Sequence, residues 1–84
     1  MAVRQSQKPI LRLYLSGNLR RLRKDKGATK SDVQQATGIS EHTYEKWEAG
    51  LNFPTDENLR KLAVYFQVPV DSLSKKPKDL TYYF

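Results

Sequence analysis

Leu11, Leu15, Leu19 and Leu22 follow one another at spacings of four, four and three residues, which places them on one face of a helix. Pro9 suits the first turn of that helix, where its missing N–H costs nothing. Lys24 and Lys26 complement the dipole at the other end, and Gly27 supplies a C-cap. Gly17 lies inside the pattern and weakens a helix by about 1 kcal/mol relative to Ala. A helix that starts near Ser16, with Ile10–Leu15 extended, is therefore the alternative; the continuous helix is the preferred reading. Thr29 is a good N-cap for a second, short helix, with Asp32 in its first turn and Val33, Ala36 and Thr37 on its inner side. Gly38 ends it. Ser40 caps a third helix over 41–49, in which Tyr44 and Trp47 share one face, and Gly50 ends that one. Only Gly38-Ile39-Ser40 joins the two, so the chain must turn a sharp corner, with Gly38 free to take a positive φ.

Leu51-Asn52-Phe53-Pro54 reads as a loop. Thr55 caps a fourth helix with Asp56 and Glu57 in its first turn, and Leu59, Leu62, Ala63 and Phe66 give the clearest amphipathic pattern in the chain. Gln67-Val68-Pro69 breaks it, and Val70-Asp71-Ser72-Leu73 fits one further short turn. Residues 1–8 are polar and aperiodic, as in a flexible arm. The helical domain spans 9–74, with its corner at 29–50. Residues 75–84 form a tail: a polar linker, Lys75–Asp79, then apolar Leu80, Tyr82, Tyr83 and Phe84.

Composition narrows the classes of function. Eighty-four residues make one domain with a modest core. The absence of cysteine excludes disulfides and thiolate zinc sites, and a single histidine, His42, leaves little for a metal site; neither metal nor cofactor is expected. The longest apolar cluster, Ile10–Leu15, is interrupted by Arg12 and is far short of the roughly 20 residues that span a membrane. The first eight residues lack a signal-peptide apolar region, so a soluble, cytoplasmic protein is expected. No Gly-rich phosphate loop and no nucleophile–base pairing is visible, which argues against an enzyme.

The net charge of +6 is uneven. Residues 1–30 carry nine Lys/Arg and only Asp25, residues 31–74 carry three basic against seven acidic side chains, and residues 75–84 carry three lysines against Asp79. The three segments therefore stand at +8, −4 and +2. The basic segment suits a polyanion such as a phosphate backbone, or is simply a solvated helix.

The run Gly38-Ile39-Ser40-x-x-Thr43-Tyr44-x-x-Trp47-Glu48-x-Gly50 combines a turn glycine, a cap and an inner aromatic at fixed spacings. With Arg23, Gly27, Thr29, Val33, Pro54, Leu59, Leu62, Ala63, Val68 and Leu73, it resembles the helix-turn-helix domain of phage repressors, Cro proteins and Xre-type regulators, over about residues 15–73. The resemblance implies an all-α, five-helix, lambda-repressor-like fold whose third helix enters the DNA major groove. On that reading Glu41, His42, Glu45 and Lys46 are the candidate base contacts. Lys30, Thr43, Ser40, Thr29 and Arg23 are the candidate phosphate contacts. Val33, Gly38, Ile39, Tyr44 and Trp47 build the core of the corner. Glu41 can accept from cytosine N4 or merely favour the dipole at a helix start. His42 and Lys46 have a plain solvated alternative, and Arg23 with Glu48 resembles the family's tie between helices 1 and 3.

Arg4 and Lys8, on the arm, either follow the DNA or stay untethered. Binding as a homodimer to a palindromic operator is expected, as is a role in repression or a Cro-like switch. The apolar tail offers a surface for a protein partner, or a cover for Ile10, Leu13 and Tyr14 on helix 1, within one chain or across a dimer. The sequence also departs from the family. Gln34 replaces a small residue at the corner and needs a partner if the corner is not to loosen; Thr37 replaces a common leucine. The reading surface is acidic, with Lys46 the only base between residues 31 and 58. A protein-interaction module on the same fold, such as an antirepressor or antitoxin partner, is therefore the rival reading.

Overall fold

The computed structural model describes residues 8–76. Its first helix, α1 (Lys8–Lys26), passes through Gly17 without a break, so the continuous reading holds. Gly17 is exposed and nothing lies within 4 Å of where its Cβ would be, so its cost is confined to backbone propensity. α1 begins at Lys8, the last residue assigned to the arm; Arg4 and the apolar residues Leu80–Phe84 lie outside the described residues. Three more helices follow: α2 (Lys30–Thr37), α3 (Glu41–Glu48) and α4 (Asp56–Phe66). Each is capped as its sequence dictates. Thr29 and Asp32 form a reciprocal capping box, Ser40 Oγ accepts from the Thr43 N–H, and Thr55 Oγ1 accepts from the Asn58 N–H.

The fifth element corrects the expectation of five helices: Val70–Ser74 is a 3-10 helix, so the described fold has four α-helices and one such turn. The segment is five residues long, and Pro69 precedes it. Its last carbonyls do not feed a longer helix. Asn18, itself buried, donates from Nδ2 to the carbonyls of Ser72, Leu73 and Lys75 at 3.3, 2.8 and 3.0 Å. This clasp fixes the 3-10 helix and Lys75 against α1, and it satisfies an amide that would otherwise be costly to bury.

α1 packs on α3 and on the 3-10 helix, α4 on the 3-10 helix and on α2, and α2 on α3. The core lies between them and consists of Leu15, Leu19, Val33, Ile39, Tyr44, Trp47, Leu59, Leu62, Ala63, Phe66 and Leu73. Leu15 and Leu19 are fully buried, as their spacing requires; each such side chain contributes about 2 kcal/mol of burial. Leu13 of the second helix-1 stripe is 66% exposed and lies beside Gly50. Short helices of eight residues are marginal alone. α2 and α3 therefore stand because they share this core, and the core fixes the angle at which α3 leaves it.

Candidate nucleic-acid interface

The corner between α2 and α3 is built from backbone geometry and two polar side chains. Gly38 takes φ 78° and ψ 0°, a conformation costly for residues with a Cβ, and its N–H bonds the Gln34 carbonyl. Thr37 Oγ1 donates to the Val33 carbonyl at 2.7 Å and accepts from the Ile39 N–H at 3.2 Å. Thr37 thus replaces the leucine's packing by a brace across the turn. Gln34 finds its partner: Oε1 accepts from the Glu41 N–H at 2.6 Å. That N–H is one of the orphan donors at the start of α3, so the side chain that departs from the family pattern ties the two helices together. Val33 and Ile39, predicted as corner core, are both buried.

The inner face of α3 fixes its orientation. Tyr44 and Trp47 are buried, and their rings meet edge to face at 6.3 Å. Beside them Glu48 is buried and bonded to Arg23 of α1 through two contacts, Nε to Oε2 at 2.7 Å and Nη2 to Oε1 at 3.0 Å. Arg23 also donates from Nη1 to the Ala28 carbonyl at 3.2 Å. One guanidinium therefore holds α3 and the start of the α1–α2 link together, using the bidentate geometry that arginine alone provides. Burial pushes the Glu48 carboxyl up, but the Arg23 hydrogen bonds, with the nearby Tyr44 hydroxyl, outweigh it and hold the group below the usual carboxylate range. Burial, with the Glu48 carboxylate nearby, pushes the Tyr44 phenol well up. Tyr44 Oη has no well-formed hydrogen bond to any described residue.

The opposite face of α3 points away from the core. Glu41, His42, Glu45 and Ala49 are exposed and Lys46 is half-buried. His42, Glu45 and Lys46 line an open concavity of about 490 Å³ together with Arg20 of α1, Lys30 of α2 and Leu51. The structure thus gathers three of the four candidate base-contacting residues on one surface, places Glu41 on the turn before them, and adds cations on two sides. Lys30 bonds Glu45, Nζ to Oε1, at 3.1 Å.

The candidate phosphate contacts fall into two groups. Thr29, Ser40 and Thr43 serve the helix starts: Thr29 Oγ1 accepts from the Asp32 N–H, and Ser40 Oγ donates to Thr43 Oγ1 at 2.8 Å. The Thr29 hydroxyl accepts from a backbone N–H, so it keeps a proton to donate outward, while the Ser40 and Thr43 hydroxyls share one hydrogen bond between them. Arg23 is engaged with Glu48, and Lys30 with Glu45. Arg20, Ala49 and Leu51 are site residues that the sequence reading missed. Arg20 precedes Arg23 by three residues, one turn along the same side of α1, and that spacing was the available signal.

Among the described residues no group of three or more His, Cys, Asp or Glu could hold a metal ion, and no described helix is long and apolar enough to cross a membrane. A family model for a helix-turn-helix domain matches residues 15–74. No curated protein and no solved structure compared with the chain matches it.

Proposed function

As the chain belongs to the helix-turn-helix domain family, a family of DNA-binding modules, we propose that it is a sequence-specific transcription regulator. It acts as a repressor or Cro-like switch of the Xre type, as a homodimer on a palindromic operator. Half-sites would lie about one helical turn apart. α3 is the reading helix. His42 and Lys46 lead on its outward row, with Glu41 at its start and Glu45 on the flank. Arg20, Lys30 and the Thr29 and Thr43 hydroxyls hold the backbone. The observation that supports this reading is the two-sidedness of α3: Tyr44, Trp47 and Glu48 are buried, while His42, Glu45 and Lys46 border an open concavity that Arg20 and Lys30 also line. Regulation follows from occupancy of the site, without catalysis and in the cytoplasm.

The rival is a protein-interaction module. It is favoured by the carboxylates Glu41 and Glu45 on the same face, and by the exposed Val64 beside Tyr65 in a second groove between α2 and α4. A salt titration separates the two. Retardation of a selected duplex should weaken steeply with salt, its log–log slope rising by about 0.9 for each phosphate neutralised. Failure to retard any duplex at low salt would favour the rival.

A further inference from the structure

The Lys30–Glu45 pair stands where a DNA phosphate and a base edge would compete for its two ends. Both side chains are reachable, at 33% and 58% exposure, and the pair lines the outward concavity with His42 and Lys46. An exposed pair of this kind is worth about 0–1 kcal/mol, so a ligand can exchange it. A free carboxylate on this surface would repel phosphate, and a free ammonium would attract any phosphate regardless of sequence. Held together at 3.1 Å, the two cancel.

We infer that Glu45 and Lys30 are placeholders for each other, exchanged together on the correct sequence for a cytosine edge and a backbone phosphate. Cytosine N4 is the major-groove donor that a carboxylate accepts from. When Glu45 turns to it, Lys30 loses its partner and takes the phosphate. On any other sequence Glu45 stays on Lys30, and Lys30 adds nothing to sequence-independent binding. Specificity is thereby gained by suppressing the wrong complexes as well as by stabilising the right one. The inference rests on the proposed DNA-reading function and assigns Glu45 a specificity-determining role within it.

The test measures retardation of a random-sequence duplex across a salt series. Glu45→Gln should bind tighter at low salt by up to about 5-fold, the ceiling set by the worth of an exposed pair. Its log–log salt slope should steepen by about 0.9, one additional phosphate. Lys30→Gln alone should weaken random-duplex binding by a similar factor, since it frees the Glu45 carboxylate to repel phosphate. Adding Lys30→Gln to Glu45→Gln should remove the gain, whereas any gain from Glu41→Gln should persist without Lys30. Sequences selected by Glu45→Gln should lose one cytosine preference. A gain that survives in the double variant, or an unchanged slope, overturns the inference and leaves the DNA reading intact. If neither wild type nor any variant retards a duplex, the DNA reading fails and the inference falls with it. Glu45 is exposed and Lys30 half-buried outside the core, so thermal melting should show every variant folded.

Discussion

Two carboxylates three residues apart on α3 each meet a cation from a neighbouring helix, and the two bridges behave differently. Glu48, 4% exposed, is gripped by two bonds from Arg23, whose own exposure is 16%. Glu45, 58% exposed, makes one bond to Lys30. The inner bridge is largely shielded from water and uses planar, bidentate geometry, so it orients the helix. The outer bridge is a point charge against a solvated carboxylate, so it can be traded. The same residue type thus does structural work on one side of a short helix and remains available to a ligand on the other. Burial decides which.

The comparison breaks most sharply at the inner bridge. Glu48→Ala leaves the Arg23 guanidinium without its carboxylate and should cost about 3 kcal/mol, the low end for a broken buried pair because Arg23 retains some access to water. Urea denaturation should show a midpoint lowered so that the shift multiplied by the m-value gives that loss. Next in size is the pH response. The folded Glu48 carboxyl lies below its usual 4.5, so its contribution is complete above that value and is lost as pH falls through the folded one. Wild-type stability should therefore fall on acidification below about pH 4, and Glu48→Gln should lose less over the same interval. An equal loss in both would remove Glu48 from the account.

Gln34→Ala should cost about 1 kcal/mol, the worth of a cap on an otherwise unpaired helix-start N–H. The smallest effect is at the outer bridge. Glu45→Gln should leave stability within about 0.5 kcal/mol. A cost near that of Glu48→Ala would erase the distinction between the two bridges.

The helices, their caps and the core of the corner were legible in the sequence because they depend on spacing within one element or on a residue beside a boundary. Thr29, Ser40 and Thr55 cap where they should, and Leu15, Leu19, Leu59 and Leu62 face inward as their periods require. What crosses between elements was harder to see. Gln34 could be flagged as a misfit at the corner, but its bond to the Glu41 N–H depends on where two backbones meet. The Lys30–Glu45 pair joins residues fifteen apart through that corner, and no local pattern marks it. Lys30 and Glu45 were read separately, as a phosphate and a base contact. The clasp of Asn18 on the chain after the 3-10 helix was hidden because asparagine in a helix ordinarily faces solvent.

The central claim is that the outward row of α3 reads base edges in duplex DNA. Selection of bound sequences from a random duplex pool, run in parallel with wild type and Lys46→Ala, tests it most directly. The account predicts a defined two-fold site for wild type and, for Lys46→Ala, weaker binding with preference relaxed at one position in each half-site. Uniform weakening with the same preferences would make Lys46 a phosphate contact. Enrichment of no sequence by the wild type would contradict the claim.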